Sequence, residues 1–364
     1  ICIGQVAISP ISMEWLYGGL EQYSYITIRA VIFKIISLLL IFLFIHTRDD
    51  YKIYALITAF GYVGNYICNF IHSRKYINWK YKNKLNLKVH LKPTLWLFAS
   101  LLSVNIYTNV DSIMLGFICG DSALGLYDIA VKAKTVLLSL INAISAVLLP
   151  RLSYYVSQKN DTLYGDMLRK SIRVIFIIAI PLTIFFEIAA ADCILVLGGE
   201  HFRAAIPCMM ILMPILLISG FSNITGNQIL IPHNMDSCFT KAVTAGAVVD
   251  IVLNAILLPR FSLYGAAVAT VIAEFVQMLI QIMYSRRYLK NMIDLSAVSK
   301  IILATIASGG IIMALRYFVE FHPIINLMVY FGVFIILYYF ALYLMNIKEA
   351  REVKAAIRSL INRS

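Results

Sequence analysis

Residues 125–149 read GLYDIAVKAKTVLLSLINAISAVLL, and Pro150 and Arg151 follow. The run is long enough to cross a bilayer, which takes about 20 apolar residues in a helix. Its polar residues are not scattered. At 100° per residue, Asp128, Lys132, Thr135, Ser139 and Asn142 fall within about 80° of arc. Asp128 and Lys132 are spaced i, i+4 and can pair. Such a stripe reads as one wall of a cavity; a helix–helix contact held by polar side chains is the alternative. Lys134 lies on another face, where its long stem can snorkel to the interface.

The rest of the chain repeats this pattern. Of its 364 residues, 61% are apolar and only 14% charged, a composition that excludes disorder and an ordinary soluble enzyme. Apolar stretches lie at 27–45, 51–72, 93–118, 125–149, 172–191, 207–231, 241–258, 264–284, 297–318 and 323–345. Pro93, Pro150, Pro207, Pro232, Pro259 and Pro323 stand at or near their ends, where a missing N–H is tolerated. Pro10, Pro181 and Pro214 lie inside helical stretches and predict kinks.

The net charge of +12 would suggest nucleic acid in a soluble protein. Here it follows the loops instead. Segments 73–92, 151–173, 232–241, 285–300 and the tail after 345 hold 22 lysines and arginines, and the alternating segments hold 4: Arg48, Lys52, Arg203 and Arg260. The basic side is therefore read as cytoplasmic, with the C-terminus on it and no nucleic-acid partner. The loops are short, which leaves no room for an extramembrane active site.

The six cysteines form no C-x-x-C pair and the six histidines no H-E-x-x-H, so neither a metal site nor a catalytic metal is expected. No Ser/His/Asp set, paired carboxylates or phosphate loop is present, and no cofactor is expected.

Polar residues recur within other spans. Asn105, Thr108, Asn109 and Ser112 share one face of 93–118, with Asp111 beside them. Arg29 and Lys34 lie in 27–45, Arg29 near the cytoplasmic end, where snorkelling is expected, and Lys34 deeper. Thr270, Glu274, Gln277 and Gln281 share a face of 264–284. Span 207–231 adds Ser219, Ser222 and Asn223, and 241–258 adds Asp250 and Asn254. Intramembrane charge costs a few kcal/mol per group, about 2.5–3.5 on insertion scales, and persists where it faces a cavity or a partner. Cations suit phosphate, and amides and hydroxyls suit sugar. Asp111, Asp128 and Glu274 are candidates for holding a coupling proton or Na+.

Ser73-Arg74-Lys75-Tyr76 ends one apolar run, and Ser285-Arg286-Arg287-Tyr288 ends another 212 residues later. Six spans separate them, so the orientation is the same, as a parallel repeat requires. The expected organisation follows: 1–76 as the last half of an N-terminal helical lobe, 77–92 as a basic cytoplasmic linker, 93–288 as a six-helix C-terminal lobe, 289–345 as an extra helix pair and 346–364 as a cytoplasmic tail. The repeat would place about 120 further residues before Ile1.

Particular strings go further. Glu14-Trp15-Leu16-Tyr17-Gly18-Gly19-Leu20-Glu21 with Ile26-Thr27-Ile28-Arg29 resembles a segment of bacterial polysaccharide repeat-unit flippases of the Wzx type. So do Asp111-Ser112-Ile113-Met114-Leu115-Gly116 with Leu124-Gly125-Leu126-Tyr127 and Ala130; Gly226-Asn227-Gln228-Ile229-Leu230-Ile231-Pro232; Asn254 with Leu258-Pro259; and Gly265-Ala266-Ala267 through Ala273-Glu274. That family belongs to the multidrug/oligosaccharidyl-lipid/polysaccharide exporter superfamily. The resemblance implies an all-α polytopic membrane protein with two six-helix lobes around a central cavity, the first truncated here, plus two C-terminal helices. It implies a transporter rather than an enzyme, in the bacterial inner membrane. The cargo it implies is an undecaprenyl-diphosphate-linked oligosaccharide for O-antigen or other surface polysaccharide. Membrane lipids, a polysaccharide polymerase and a chain-length regulator are the further partners the resemblance implies. Cargo contacts are expected at Lys132, Lys34 and Arg29, with Asn105, Asn109, Thr135, Ser139 and Asn142. Coupling to a proton or Na+ is expected at Asp111, Asp128 and Glu274. A cation-coupled drug or lipid II exporter of the same superfamily is the alternative, and an integral-membrane polysaccharide-processing enzyme the third reading.

Overall fold

The computed structural model describes residues 7–20, 22–47, 50–77, 91, 94, 109–318 and 321–347. The chain divides into two compact units, Ile1–Thr94 and Leu95–Ser364. The described residues are helical and contain no strand. Among the described residues, six helices are long and apolar enough to cross a membrane, or seven with one bent pair.

In the first unit, a 3-10 turn at Ser9–Ser12 carries Pro10 and ends at Met13, whose φ of 50° stops it. Helices α1 (Glu14–Gly19), α2 (Tyr23–Phe44) and α3 (Tyr51–Ser73) follow. Helices α2 and α3 pack together along Gly61, where a Cβ would come within 2.5 Å of Ser37 Oγ. The absent side chain is what allows the approach.

The second unit begins, among the described residues, with α4 (Asn109–Cys119). Helix α5 runs over Asp121–Ser157. The expected stop at Pro150 is corrected, since α5 continues two turns past it. Proline removes one N–H bond from a helix, and packing offsets that loss: Leu152 is fully buried, and Tyr155 and Val156 rest on the core. Helix α6 (Asp161–Ile188) starts where Asn160 Oδ1 accepts a hydrogen bond from Leu163 N at 3.1 Å, an ordinary N-cap. Pro181 is inside it.

Helices α7 (Ala190–Gly198), α8 (Ile206–Leu212) and α9 (Ile215–Asn223) follow. The kink expected at Pro214 is present: the helical segments on either side of it are bent by 41°. Helix α9 passes directly into a π-helical segment, Ile224–Leu230. Helix α10 (Asp236–Leu289) contains two of the apolar stretches, joined at Ser262, whose φ of 49° and ψ of −130° are non-helical. Gly265 permits that turn, because a Cβ there would meet Leu257 O at 2.6 Å. Helices α11 (Leu295–Phe318) and α12 (Pro323–Leu344) close the unit.

The main core joins α5, α6, α8, α9 and α10 through Tyr127, Leu137, Ile141, Ile172, Leu212 and Phe221, among others. Two smaller clusters seat α11 and α12, one on Ile180 and one on Phe185.

The two repeat endings share more than letters. Ser73 and Ser285 are both fully buried, and each hydroxyl donates 2.7 Å back to its own helix, to Phe70 O and Gln281 O. One turn before them, Asn69 and Gln281 are also fully buried.

Candidate functional site

In the second unit, α4, α5 and the two halves of α10 enclose a cavity of about 430 Å3 lined by Asn109, Asp111, Ser112, Asp128, Lys132, Lys134, Thr135, Asp250, Thr270 and Glu274, with Val131, Leu138 and Ala273. Three of the expected cargo residues, Lys132, Thr135 and Asn109, and all three coupling candidates thus share one space. Asn105 lies outside the described residues.

Lys132 is exposed to this space and makes no ion pair with Asp128, although the spacing permits one; no such pair occurs among the described residues. Lys134 does not snorkel away, contrary to its expected place on another face. It lines the same cavity beside Val131 and Leu138, at three- and four-residue spacing, and four carboxylates share that cavity. Long lysine stems reach round a helix in this way.

Asp111 is buried and accepts hydrogen bonds from the Tyr127 hydroxyl and, at 3.4 Å, from Thr270 Oγ1. Tyr127 OH and Thr270 Oγ1 are 3.2 Å apart. Glu274 Oε2 accepts from Ser219 Oγ at 3.0 Å. Asp250 is 5% exposed and its Oδ1 has no hydrogen-bond partner. The sequence reading places Asp250 in span 241–258 without a role and gives Tyr127 only as part of a family-like string. Tyr127 is in the core, with only its hydroxyl turned to Asp111. No sequence spacing signals that contact, since Thr270 and Asp111 are 159 residues apart.

Farther along α5, Thr135 and Ser139 donate to their own helix, to Val131 O at 2.8 Å and Val136 O at 2.6 Å. Each retains acceptor capacity toward the unit surface. Asn142 is exposed on the same stripe and accepts from Asn223 Nδ2 at 2.6 Å.

In the first unit, Arg29 is buried, and the snorkelling expected of it is corrected. Its Nε donates to Asn65 Oδ1 at 2.5 Å and its Nη1 to Asn69 Oδ1, while the guanidinium lies 4.8 Å from the Tyr25 ring centroid. Two amides and a ring hold the cation in place, and its buried Nη2 has no hydrogen-bond partner. Lys34 lines a separate cavity of about 270 Å3 with Ser37, Thr58, Gly61, Tyr62 and Asn65. No group of three or more His, Cys, Asp or Glu side chains able to hold a metal ion occurs among the described residues.

Long apolar helices around a charged cavity define a multi-pass α-helical membrane protein, not a soluble one that happens to be basic. Comparison with known proteins narrows this. Residues 5–156 match the family described as polysaccharide biosynthesis protein. A putative O-antigen transporter of Escherichia coli (strain K12) is 23% identical over 277 residues, 75% of this chain and 66% of that one. A probable low-salt glycan biosynthesis flippase of Haloferax volcanii is 20% identical over 231 residues, 63% of this chain and 49% of that one. The fold is that of the lipid II flippase MurJ in its inward closed conformation: TM-score 0.67 at 16% identity, covering 88% of this chain and 67% of that one. The resemblance read in the sequence strings is borne out. The chain spans about half to two thirds of the length of these relatives.

Proposed function

We propose that the chain moves undecaprenyl-diphosphate-linked oligosaccharide repeat units from the cytoplasmic to the periplasmic leaflet of the bacterial inner membrane, by alternating access, for O-antigen or another surface polysaccharide. The observation that carries this reading is Lys132, an unpaired cation facing a polar cavity partway along an apolar helix. A diphosphate is the ligand such a cation suits, and hydroxyls and amides farther along the same stripe suit sugar. Lys34 is assigned the same chemistry in the first unit, and so is Arg29, through the one guanidinium nitrogen, Nη2, that its asparagine partners leave without a hydrogen bond. The names of the relatives, an O-antigen transporter and a glycan biosynthesis flippase, support a glycan as cargo.

Coupling to a proton or Na+ is assigned to Asp111, Asp128 and Glu274, with the unpartnered Asp250 oxygen beside them. The C-terminus is cytoplasmic by the distribution of basic residues. A polysaccharide polymerase and a chain-length regulator are the proposed protein partners, since they would consume and regulate what the flippase delivers.

The test is Lys132→Ala in the full-length protein at native expression. Surface polysaccharide falls, undecaprenyl-linked single repeat units accumulate on the cytoplasmic face, and the protein remains in the membrane. Normal polysaccharide overturns the role of Lys132. Loss of polysaccharide without accumulated lipid-linked units points instead to a polysaccharide-processing enzyme.

A further inference from the structure

Three asparagines form a directed chain of amides across three elements of the second unit. Asn227 Nδ2 donates to Asn223 Oδ1, and Asn223 Nδ2 donates to Asn142 Oδ1 at 2.6 Å. Asn142 belongs to the polar stripe of α5, Asn223 ends α9, and Asn227 lies in the π-helical segment.

The π segment is built to present Asn227. Six of its seven residues are buried, and Asn227 is the remaining one. The next residue, Gln228, is fully buried and tied inward: it accepts from Ser171 Oγ at 2.5 Å, donates to Ser145 Oγ at 3.2 Å, and its backbone carbonyl accepts from Tyr164 OH at 3.1 Å. Thr225 is anchored on the other side, donating to Gln281 Oε1 at 2.8 Å. Wider π turns occur mostly as single insertions, often at functional sites. Here the insertion turns one amide outward while its neighbours stay in the core.

The chain is joined through both polar atoms of Asn223 at its centre and is open at its ends. Asn142 keeps both amide N–H donors, and Asn227 keeps its carbonyl oxygen. Donors at one end and an acceptor at the other match the paired hydroxyls of a sugar ring, which both give and accept hydrogen bonds. Such groups are costly facing lipid. Asn142 lies ten residues beyond Lys132 on the same stripe, about 15 Å along the helix at 1.5 Å per residue. That is the length of a short oligosaccharide, with a phosphate-binding cation at one end and amides at the other.

We propose that Asn142, Asn223 and Asn227 form a carbohydrate-reading subsite that selects the glycan of the cargo, with Gln228 as its positioning residue. The proposal rests on the flippase reading given above and adds where that protein tells sugar from bare lipid.

The test measures binding of two probes to the detergent-solubilised full-length protein: undecaprenyl diphosphate alone and undecaprenyl diphosphate carrying the host's complete repeat unit. The wild type prefers the glycan-bearing lipid. Asn223→Leu and, separately, Asn227→Ala reduce that preference by about three- to tenfold, the range of one or two hydrogen bonds, and leave affinity for the sugar-free lipid unchanged. Asn227→Ala removes the half-buried end of the chain and leaves the buried anchors of Gln228 intact, so it keeps the test valid if Asn223→Leu misfolds. Lys132→Ala lowers affinity for both lipids. An unchanged preference in Asn227→Ala overturns the subsite and leaves the flippase reading standing. A wild-type protein that binds neither lipid overturns both.

Discussion

Arg316 Nη2 lies 2.7 Å from Asp192 Oδ2, and Arg316 Nη1 donates to Ile188 O. Asp192 Oδ1 accepts from Asn326 Nδ2 at 3.1 Å, and Asn326 Oδ1 accepts from Phe321 N at 2.9 Å. One buried carboxylate thus ties α7 to α11 and to the start of α12. The Arg316 charge is spent on architecture and is not available to cargo. Removing one partner of such a pair leaves the other uncompensated, at roughly 3–5 kcal/mol when fully buried. Arg316 is a quarter exposed, so about 2–3 kcal/mol is expected. Arg316→Leu should lower the thermal midpoint in detergent, and Arg316→Leu with Asp192→Asn should recover part of the loss. A double variant no more stable than the single one would show that the pair is not coupled.

The α2–α3 contact depends on glycine. A Cβ at Gly61 would meet Ser37 Oγ at 2.5 Å, and one at Gly64 would collide with the Phe33 ring. Inserting atoms into a close contact costs about 1–3 kcal/mol. Gly64→Val should therefore destabilise the first unit by that amount, and Gly310→Ala, where a Cβ meets nothing within 4 Å, should not. Limited proteolysis between residues 23 and 73 reads the first unit selectively. Equal protection of Gly64→Val and wild type would contradict the packing argument.

His233, in the loop between the π segment and α10, provides an acid-sensitive element. Its Nδ1–H donates to Ile229 O at 2.8 Å, and its ring centroid lies 4.0 Å from that of Tyr288 and 5.2 Å from that of Tyr164. Burial pushes its pKa below the usual histidine value, and nearby Arg287 adds to this, against the opposing Ile229 hydrogen bond and Asp161 charge. The unfolded chain therefore takes up the proton more readily than the folded one. The stabilisation is complete above the unfolded pKa of about 6.5 and is lost as the pH falls below it. Between about pH 7.5 and about pH 5, the wild type should lose more thermal stability than His233→Gln. Parallel pH profiles for the two proteins would remove His233 from this role.

The helices, and the cavity wall on α5, were legible because both depend on periodicity within one segment. Asp128, Lys132 and Thr135 fall on one face by arithmetic alone, and the structure puts a cavity there. What escaped the sequence depends on contacts between distant segments. Arg29 looked like a snorkelling cation until Asn65 and Asn69 were placed beside it. Lys134 looked peripheral because a helical wheel ignores the reach of a lysine. Pro150 looked like a helix end because local rules omit the packing of Leu152. The π segment at 224–230 has no sequence period of its own, and so the outward turn of Asn227 was not legible at all.

The acidic side of the cavity leads to a prediction about energy coupling. Asp111 is held by Tyr127 OH and Thr270 Oγ1, from α5 and the second half of α10. A group that joins two helices and binds an ion can transmit occupancy into a helix movement, because ion and hydroxyls compete for the same oxygens. Asp111→Asn preserves shape and removes the charge. Transport of the lipid-linked repeat unit into vesicles should fall at least about tenfold, the equivalent of 1.4 kcal/mol, and should no longer respond to an imposed pH or Na+ gradient. Tyr127→Phe keeps the carboxylate, so it should lower the rate less and retain the gradient response. Glu274→Gln, which still accepts from Ser219, separates the two acids: loss of response in Asp111→Asn alone assigns the coupling ion to Asp111. Wild-type transport indifferent to both gradients would end the coupling proposal for all of these carboxylates.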